Sequence, residues 1–292
     1  MEHEFETVDV FTTQRFGGNP LAVFPDARGI DPGEMQRIAR EFNLSETTFV
    51  LPAADAAHTA QVRIFTPMHE LPFAGHPNVG TALVLAARAG NRPERMVFEE
   101  AAGLVEIVFD WSGAHPRATL DAPQPLTVGE AIAVATVAAC TGLEEADVLT
   151  GLHAPVVAGV GTLFVLAEVT PEALARAAPD TAAMRAAALR HAVRPLGFPV
   201  HLHARVGAGR RTRMFAPLSG VTEDPATGAA NLALVALLLS VSGEAALAIE
   251  LEQGVEMGRP SQLYATARRA SDGVRASIGG SAVPVLRGVL AL

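Results

Sequence analysis

The sequence predicts an α/β protein of the α+β kind: two pseudo-symmetric domains, each a curved, mostly antiparallel sheet or open barrel around a central helix. Three observations carry this. Arg63-x-Phe65-x-Pro67 recurs as Arg213-x-Phe215-x-Pro217, 150 residues on (63 to 213), and Pro77-x-x-Gly80-x-Ala82 recurs as Pro225-x-x-Gly228-x-Ala230, 148 residues on (77 to 225). A period near half of 292 residues means two related halves. Each half also holds many short strand-like runs and one strongly apolar helix entered through Pro-x-x-Gly. A helix that is apolar all round has to be buried on all sides, as a sheet curled about it would do.

Taken in order, Glu6–Val10 and Leu21–Phe24 read as strands around the turn Gly17-Gly18-Asn19-Pro20. Asp31-Pro32-Gly33-Glu34 is a helix start, with a capping Asp, Pro in the first turn and an acid behind it. Met35, Ile38, Ala39 and Phe42 follow helical spacing, and Asn43-Leu44-Ser45 ends the helix. Thr47–Leu51 and Ala60–Phe65 are strands, 70–76 is a loop, and Asn78–Ala89 is a helix stopped by Gly90. Arg95–Glu99, Gly103–Asp110 and Arg117–Asp121 are strands. Ala122-Pro123-Gln124-Pro125 has linker composition and divides 1–124 from 125–292, with the last strand free to return to the first half. In the second half, Val128–Thr141 and Glu144–Thr150 read as helical. Strands are expected at Val156–Val160 and Leu163–Leu166, then helices at Pro171–Ala178 and Thr181–Ala192. Strands at His201–Val206 and Arg211–Phe215 precede the apolar helix Ala226–Val241. Four strands close the chain, at Ala248–Gln253, Gln262–Arg268, Val274–Gly279 and Val283–Leu290.

Hydrophobic residues make up 49% and charged residues 18%, a chain with a sizeable core; the net charge is -9. No basic stripe forms, which argues against nucleic acid as a partner. Cys140 is the only cysteine, so neither an internal disulfide nor a cysteine-based zinc site can be built. All 22 basic residues are arginine, which removes a Schiff-base lysine and a Walker A lysine. The acidic start lacks the apolar run of a signal peptide, and Ala229–Val241 is shorter than the ~20 residues of a membrane span. A cytoplasmic protein without a membrane partner is expected.

The two loop-to-helix junctions are the first candidate site. A helix start leaves backbone N–H groups without partners and favours an anion, and glycine lets a ligand approach. Gly75 and Gly80 in one half and Gly228 in the other are placed for a substrate carboxylate, or simply make tight turns. His76 serves there as proton carrier or as structural hydrogen-bonder. Asp224 serves as a functional carboxylate, as an N-cap ahead of Pro225, or as both. Glu46, at the mouth of a strand, is either a solvated strand end or a general acid/base. Asn19 orients a ligand or forms an Asx turn. His201-x-His203 puts two rings on one strand face, as a metal pair requires, but lacks a third ligand, so strand histidines are expected and no metal.

These segments resemble those of the PhzF-like proteins, on the diaminopimelate-epimerase fold. The resemblance runs through Asp9-Val10-Phe11, Gly18-Asn19-Pro20-Leu21-Ala22-Val23-Phe24 and Asn43-Leu44-Ser45-Glu46-Thr47. It continues through Phe65-Thr66-Pro67, Phe73-Ala74-Gly75-His76-Pro77, Glu223-Asp224-Pro225-Ala226-Thr227-Gly228, Gly258-Arg259-Pro260-Ser261 and Gly279-Gly280. It implies an active site between two domains, no organic cofactor, no metal, and a homodimer. It implies an isomerase that moves a proton within a small carboxylated metabolite, with Glu46 as the proton carrier and His76 and Asp224 assisting. Asn19, Gly75, Asn78, Thr227, Gly228 and Ala229 are then assigned to substrate binding. In the related epimerases two cysteines act at the places of Gly75 and Asp224, and Cys140 lies in neither motif, so two-thiol epimerisation is not expected. Ala229 stands where the phenazine enzyme has a serine. Two other functions fit the same residues: an epimerase or racemase using Glu46 and Asp224 as two bases, and a metabolite-binding protein without turnover.

Overall fold

The computed structural model describes residues 2–193 and 196–292, so Met1 of the acidic start lies outside the described residues. The chain divides into two compact units, one comprising residues up to Asp121 together with Gly279–Leu292, the other Ala122–Ile278.

The first unit runs β1 (Glu2–Val10), β2 (Asn19–Phe24), α1 (Pro32–Phe42), β3 (Glu46–Leu51), β4 (Ala60–Phe65), β5 (Glu70–Leu71), α2 (Gly75–Ala89), β6 (Arg95–Glu100), β7 (Gly103–Asp110) and β8 (Arg117–Asp121), and receives the C-terminal strand Ala282–Ala291. The strand order is C-terminal strand, β1, β2, β3, β4, β6, β7, β8; the β2–β3 and β4–β6 pairs are parallel and the others antiparallel. Laid flat, the ends of that order would lie seven spacings of about 4.8 Å apart, roughly 34 Å. Yet α2 touches the C-terminal strand, β1 and β8 at once. One helix about 10 Å wide can do so only if the sheet curls around it.

The second unit runs β9 (Thr127–Ala131), α3 (Val134–Thr141), β10 (Val148–Leu149), β11 (Val156–Gly159), β12 (Leu163–Val169), α4 (Pro171–Arg176), α5 (Thr181–Ala188), β13 (Val200–Val206), β14 (Gly209–Ala216), β15 (Val221–Asp224), α6 (Gly228–Val241), β16 (Ala246–Gln253), β17 (Ser261–Ala270) and β18 (Gly273–Gly280). Its order β9, β11, β12, β13, β14, β16, β17 repeats the pattern of the first unit, again with two parallel pairs, β12–β13 and β14–β16. The helix α6 is the second core helix: Leu232, Ala233, Leu234, Val235 and Ala236 are all without exposure.

Local chemistry explains the elements that position the candidate residues. Asp31 caps α1, accepting from the Gly33 and Glu34 N–H groups at 2.8 and 3.1 Å. Met35, Ile38 and Ala39 then pack on Phe24, Phe49 and Phe65. Gly90 ends α2 in the left-handed conformation, φ 65°. The repeated Arg-x-Phe does the same work twice. Arg63 grips both Glu70 oxygens at 2.7 Å and lies over Phe65, 5.1 Å from the ring centre; Arg213 grips both Glu223 oxygens at 2.8 Å and lies over Phe215 at 4.9 Å.

Several expectations are corrected. The stretch 128–141 is not one helix: Thr127–Ala131 is a strand and the helix begins at Val134. Every residue of β9 is exposed, so an edge strand here carries no alternation to read. The stretch 144–150 is a 3₁₀ turn, Glu145–Asp147, followed by the short β10. The loop at 70–76 contains β5, and α2 starts at Gly75 rather than Asn78. The 148-residue echo is also out of register. Gly228 is the first residue of α6, whereas Gly80 is the sixth of α2. The structural equivalence is 153 (75 to 228), pairing Gly75 with Gly228 and Ala74 with Thr227 as N-caps.

Gly80 therefore serves packing and not a ligand. A Cβ at Gly80 would lie 2.6 Å from Leu21 Cδ2 and 2.7 Å from Val10 Cγ2, both side chains fully buried. Gly80→Ala is expected to destabilise the protein by about 1–3 kcal/mol through overpacking, despite the better helix propensity of alanine. A urea midpoint equal to wild type would refute this.

Candidate active site

The first unit brings three sequence candidates together. The parallel register Leu21 to Glu46 sets the start of β2 beside the start of β3. Asn19 opens β2 and Glu46 opens β3, while His76 is the second residue of α2. His76 Nδ1 lies 3.4 Å from Asn19 Nδ2, and its Nε2 lies 3.2 Å from Glu46 Oε2. The Asn19 amide donates, so Nδ1 accepts and the ring proton sits on Nε2, on the side of the carboxylate. The approach to Glu46 is within ion-pair reach but off the hydrogen-bond line. Burial pushes the His76 pKa down to about 3, so the ring is neutral at pH 7. The Glu46 side chain is 16% exposed against 5% for His76, although the Oε2 that faces the ring is itself shielded from solvent. Asn19 is not a turn residue: it is a fully buried strand residue whose amide selects the His76 tautomer.

Gly75 and Asn78 share the first turn of α2. Asn78 is fully buried and its Nδ2 donates to the Ala74 carbonyl at 2.9 Å. Ala74 offers no side-chain cap. The start of this helix is held by an asparagine four residues in.

In the second unit, Asp224 ends β15 and does not cap α6, contrary to the capping expectation; the N-cap is Thr227, whose side chain makes no cap bond either. The Thr227 hydroxyl is used elsewhere, donating to Asp224 Oδ2 at 2.5 Å. Gly228 and half-buried Ala229 follow as the first two residues of α6. Asn231 repeats the Asn78 bond, its Nδ2 donating to the Thr227 carbonyl at 3.0 Å.

Sequence reasoning missed the residue that organises this turn. Gln253, the fully buried last residue of β16, donates from Nε2 to the Asp224 carbonyl at 2.7 Å and to Thr227 Oγ1 at 3.1 Å. Its Oε1 accepts from Asn231 Nδ2 at 2.7 Å, Thr227 N–H at 3.2 Å and Thr212 Oγ1 at 3.3 Å. It also missed Glu100, the last residue of β6, whose carboxyl oxygens are both shielded from solvent. Aligning the halves at 153 instead of 148 would have exposed both, since it pairs Asn78 with Asn231 and Glu100 with Gln253.

The histidines of β13 are committed to hydrogen bonds. His201 Nε2 lies 3.2 Å from Asn231 Oδ1; His203 Nε2 lies 2.9 Å from His153 Nε2 and its Nδ1 2.8 Å from Arg210 Nη1. Burial first, then the Arg210 charge, holds His203 well below the usual histidine range. Among the described residues no group of three or more His, Cys, Asp or Glu is placed to hold a metal ion.

The neutral state of His76 sets a pH signature. Its folded pKa lies below its ordinary value of 6.5, so the unfolded chain takes up the proton first on acidification. Stability from this residue is complete above pH 6.5 and is lost as pH falls from 6.5 towards 3, by up to ~1.4 kcal/mol per pH unit. Relative to His76→Asn, wild type is expected to show this extra acid slope in denaturant unfolding; parallel curves would show that folding leaves the titration of the ring unchanged and would refute the burial effect.

The profile of the PhzC-PhzF family, described as phenazine biosynthesis-like protein, matches residues 8–288. Trans-2,3-dihydro-3-hydroxyanthranilate isomerase of Pseudomonas fluorescens is 36% identical over 99% of this chain and 100% of its own. The crystal structure of a phenazine biosynthesis protein of the PhzF family from Bacillus anthracis superposes with a TM-score of 0.89 at 22% identity, covering both chains in full. A hydroxyproline epimerase from Agrobacterium vitis shares the fold, with a TM-score of 0.62 at 16% identity over 100% of this chain and 93% of that one. The chain belongs to the phenazine biosynthesis-like family and is an isomerase of that type. No helix among the described residues is long and apolar enough to cross a membrane.

Proposed function

We propose that this member of the family moves a proton within a small carboxylated metabolite, with chemistry similar to that of the Pseudomonas fluorescens isomerase and with side chains alone as catalysts. The observation that carries the reading is the Glu46–His76 pair: a carboxylate on a partly exposed side chain, backed by a neutral imidazole whose tautomer is fixed by Asn19. Glu46 takes a proton from a carbon activated by its neighbours. The C–H electron pair moves into the adjacent unsaturated system, and the proton now on Glu46 is delivered to a second carbon on the same face. Substrate and product are isomers, and Glu46 ends as it began. The His76 Nε2–H steadies the Glu46 carboxylate before and after the transfer.

Asp224 is given an assisting role, as holder or relay. Its carboxylate is already oriented by the short bond from Thr227. Asn19, Gly75, Asn78, Thr227, Gly228 and Ala229 are given to substrate binding. The helix starts at Gly75 and Gly228 both lack a side-chain cap, which suits either of them to a carboxylate. Ala229 supplies a methyl where the phenazine enzyme has a hydroxyl, so this chain is expected to prefer a substrate that asks for no side-chain hydrogen bond there.

Glu46→Gln is expected to lower kcat by roughly 10²–10⁴-fold on trans-2,3-dihydro-3-hydroxyanthranilate or a related cyclic acid, with substrate affinity by calorimetry little changed. In deuterated solvent, product from the wild type retains part of the transferred hydrogen, as one-base transfer requires. Undiminished turnover of Glu46→Gln would rule out the role assigned to it.

A further inference from the structure

The two units treat equivalent polar positions differently, and the difference identifies a further residue. Asn78 and Asn231 stand at the same place, four residues after the N-cap, and each donates Nδ2 to the N-cap carbonyl. Behind Asn231 lies Gln253, the last residue of β16; its Oε1 accepts from that same Nδ2 and its Nε2 donates to the carbonyl of Asp224, the last residue of β15. The matching last residue of β6 is Glu100, and the Asn78 amide acts on its carboxyl. A carboxylate cannot replace glutamine there, because it has acceptors only. Three oxygens are shut in at this point without an aligned donor: Glu100 Oε1 and Oε2, and Asn78 Oδ1. A carboxylic acid can replace glutamine. It has the same shape, one oxygen that accepts and one O–H that donates.

We infer that Glu100 is carried as a neutral carboxylic acid, an isostere of Gln253, and acts as a positioning residue for Asn78 and the first turn of α2, and through them for His76. Two forces act on it, burial and the Asn78 amide. Burial dominates and pushes its pKa up to about 8; the amide works in the opposite sense and does not offset it. The consequence for catalysis rests on the role proposed above for the Glu46–His76 pair. The protonation state itself does not.

The carboxyl carbon of Glu100, assigned in the NMR spectrum by its loss in Glu100→Gln, is expected to titrate near pH 8 in the folded protein. A folded pKa raised above the ordinary 4.5 means that wild-type stability is full below pH 4.5 and falls as pH rises towards 8, relative to Glu100→Gln, which cannot ionise. Glu100→Leu, which offers neither donor nor acceptor, is expected to lose roughly ten- to a hundredfold in kcat by letting the turn shift, and Glu100→Gln to recover most of that loss. A carboxyl resonance already ionised at pH 6, or stability curves of wild type and Glu100→Gln that run parallel from pH 4.5 to 8, overturns the inference whatever Glu46 does. If the resonance titrates as expected while Glu46→Gln remains fully active, the proposed reaction fails and the neutral Glu100 stands.

Discussion

Each unit depends on burying one helix from its first residue. In α2 the residues from Gly75 to Val84 are all buried, and in α6 the stretch from Ala230 to Leu239 is buried throughout. Curling a sheet around an apolar helix is favourable through the hydrophobic effect, but it removes water from the helix start, where backbone and side-chain polar groups are concentrated. Much of the polar chemistry of the chain answers that constraint. Asn78 and Asn231 reach back to the N-cap carbonyls, and Gln253 saturates the turn before α6. His76 loses its proton to desolvation. The candidate site is thus a by-product of how the core is closed: the groups available for chemistry are those that the buried helix starts force into defined tautomers and protonation states.

Much of the fold was legible because it follows from local chemistry. Asp31 announces α1 and makes the expected cap bonds; Gly90 stops α2; most strands appear where apolar and β-branched residues run between turns. What escaped had physical reasons. The exposed β9 shows no alternation because neither face is buried, and β5 and β10 are too short to carry a pattern. Asp224-Pro225 resembles a helix start in composition, yet the helix opens after Thr227, because the Asp224 carboxylate is engaged by the Thr227 hydroxyl and its carbonyl by Gln253.

The repeat is the most instructive case. The Arg-x-Phe-x-Pro match was sound down to its ion pair and ring contact. The Pro-x-x-Gly match, equally visible, joined residues at different depths in their helices. Glycine recurs for unlike reasons: Gly80 for close approach to Leu21 and Val10, Gly228 as a helix start. Letter identity alone could not separate them, whereas the polar pairs Asn78 with Glu100 and Asn231 with Gln253 report a shared burial problem. Glu100 belongs to no motif that would single it out, and its neighbour Glu99, the same letter, keeps its charge, its pKa held down to about 2 by the Ala54 backbone N–H, His58 and the Asp55 backbone N–H.

The same register bears on how the isomerase works. At 153 residues, His76 of α2 corresponds to Ala229 of α6, so the second unit has no imidazole on the equivalent turn. Its acidic group, Asp224, comes from the strand ahead of the helix and is already bound to Thr227. A two-base epimerisation wants matched acid/base groups that exchange roles with each turnover. The two helix starts here are matched in backbone and in their asparagines, but not in titratable side chains. The two units share a scaffold and differ in its titratable groups, so the proposed one-base reaction rests on Glu46 and the tautomer-locked imidazole beside it.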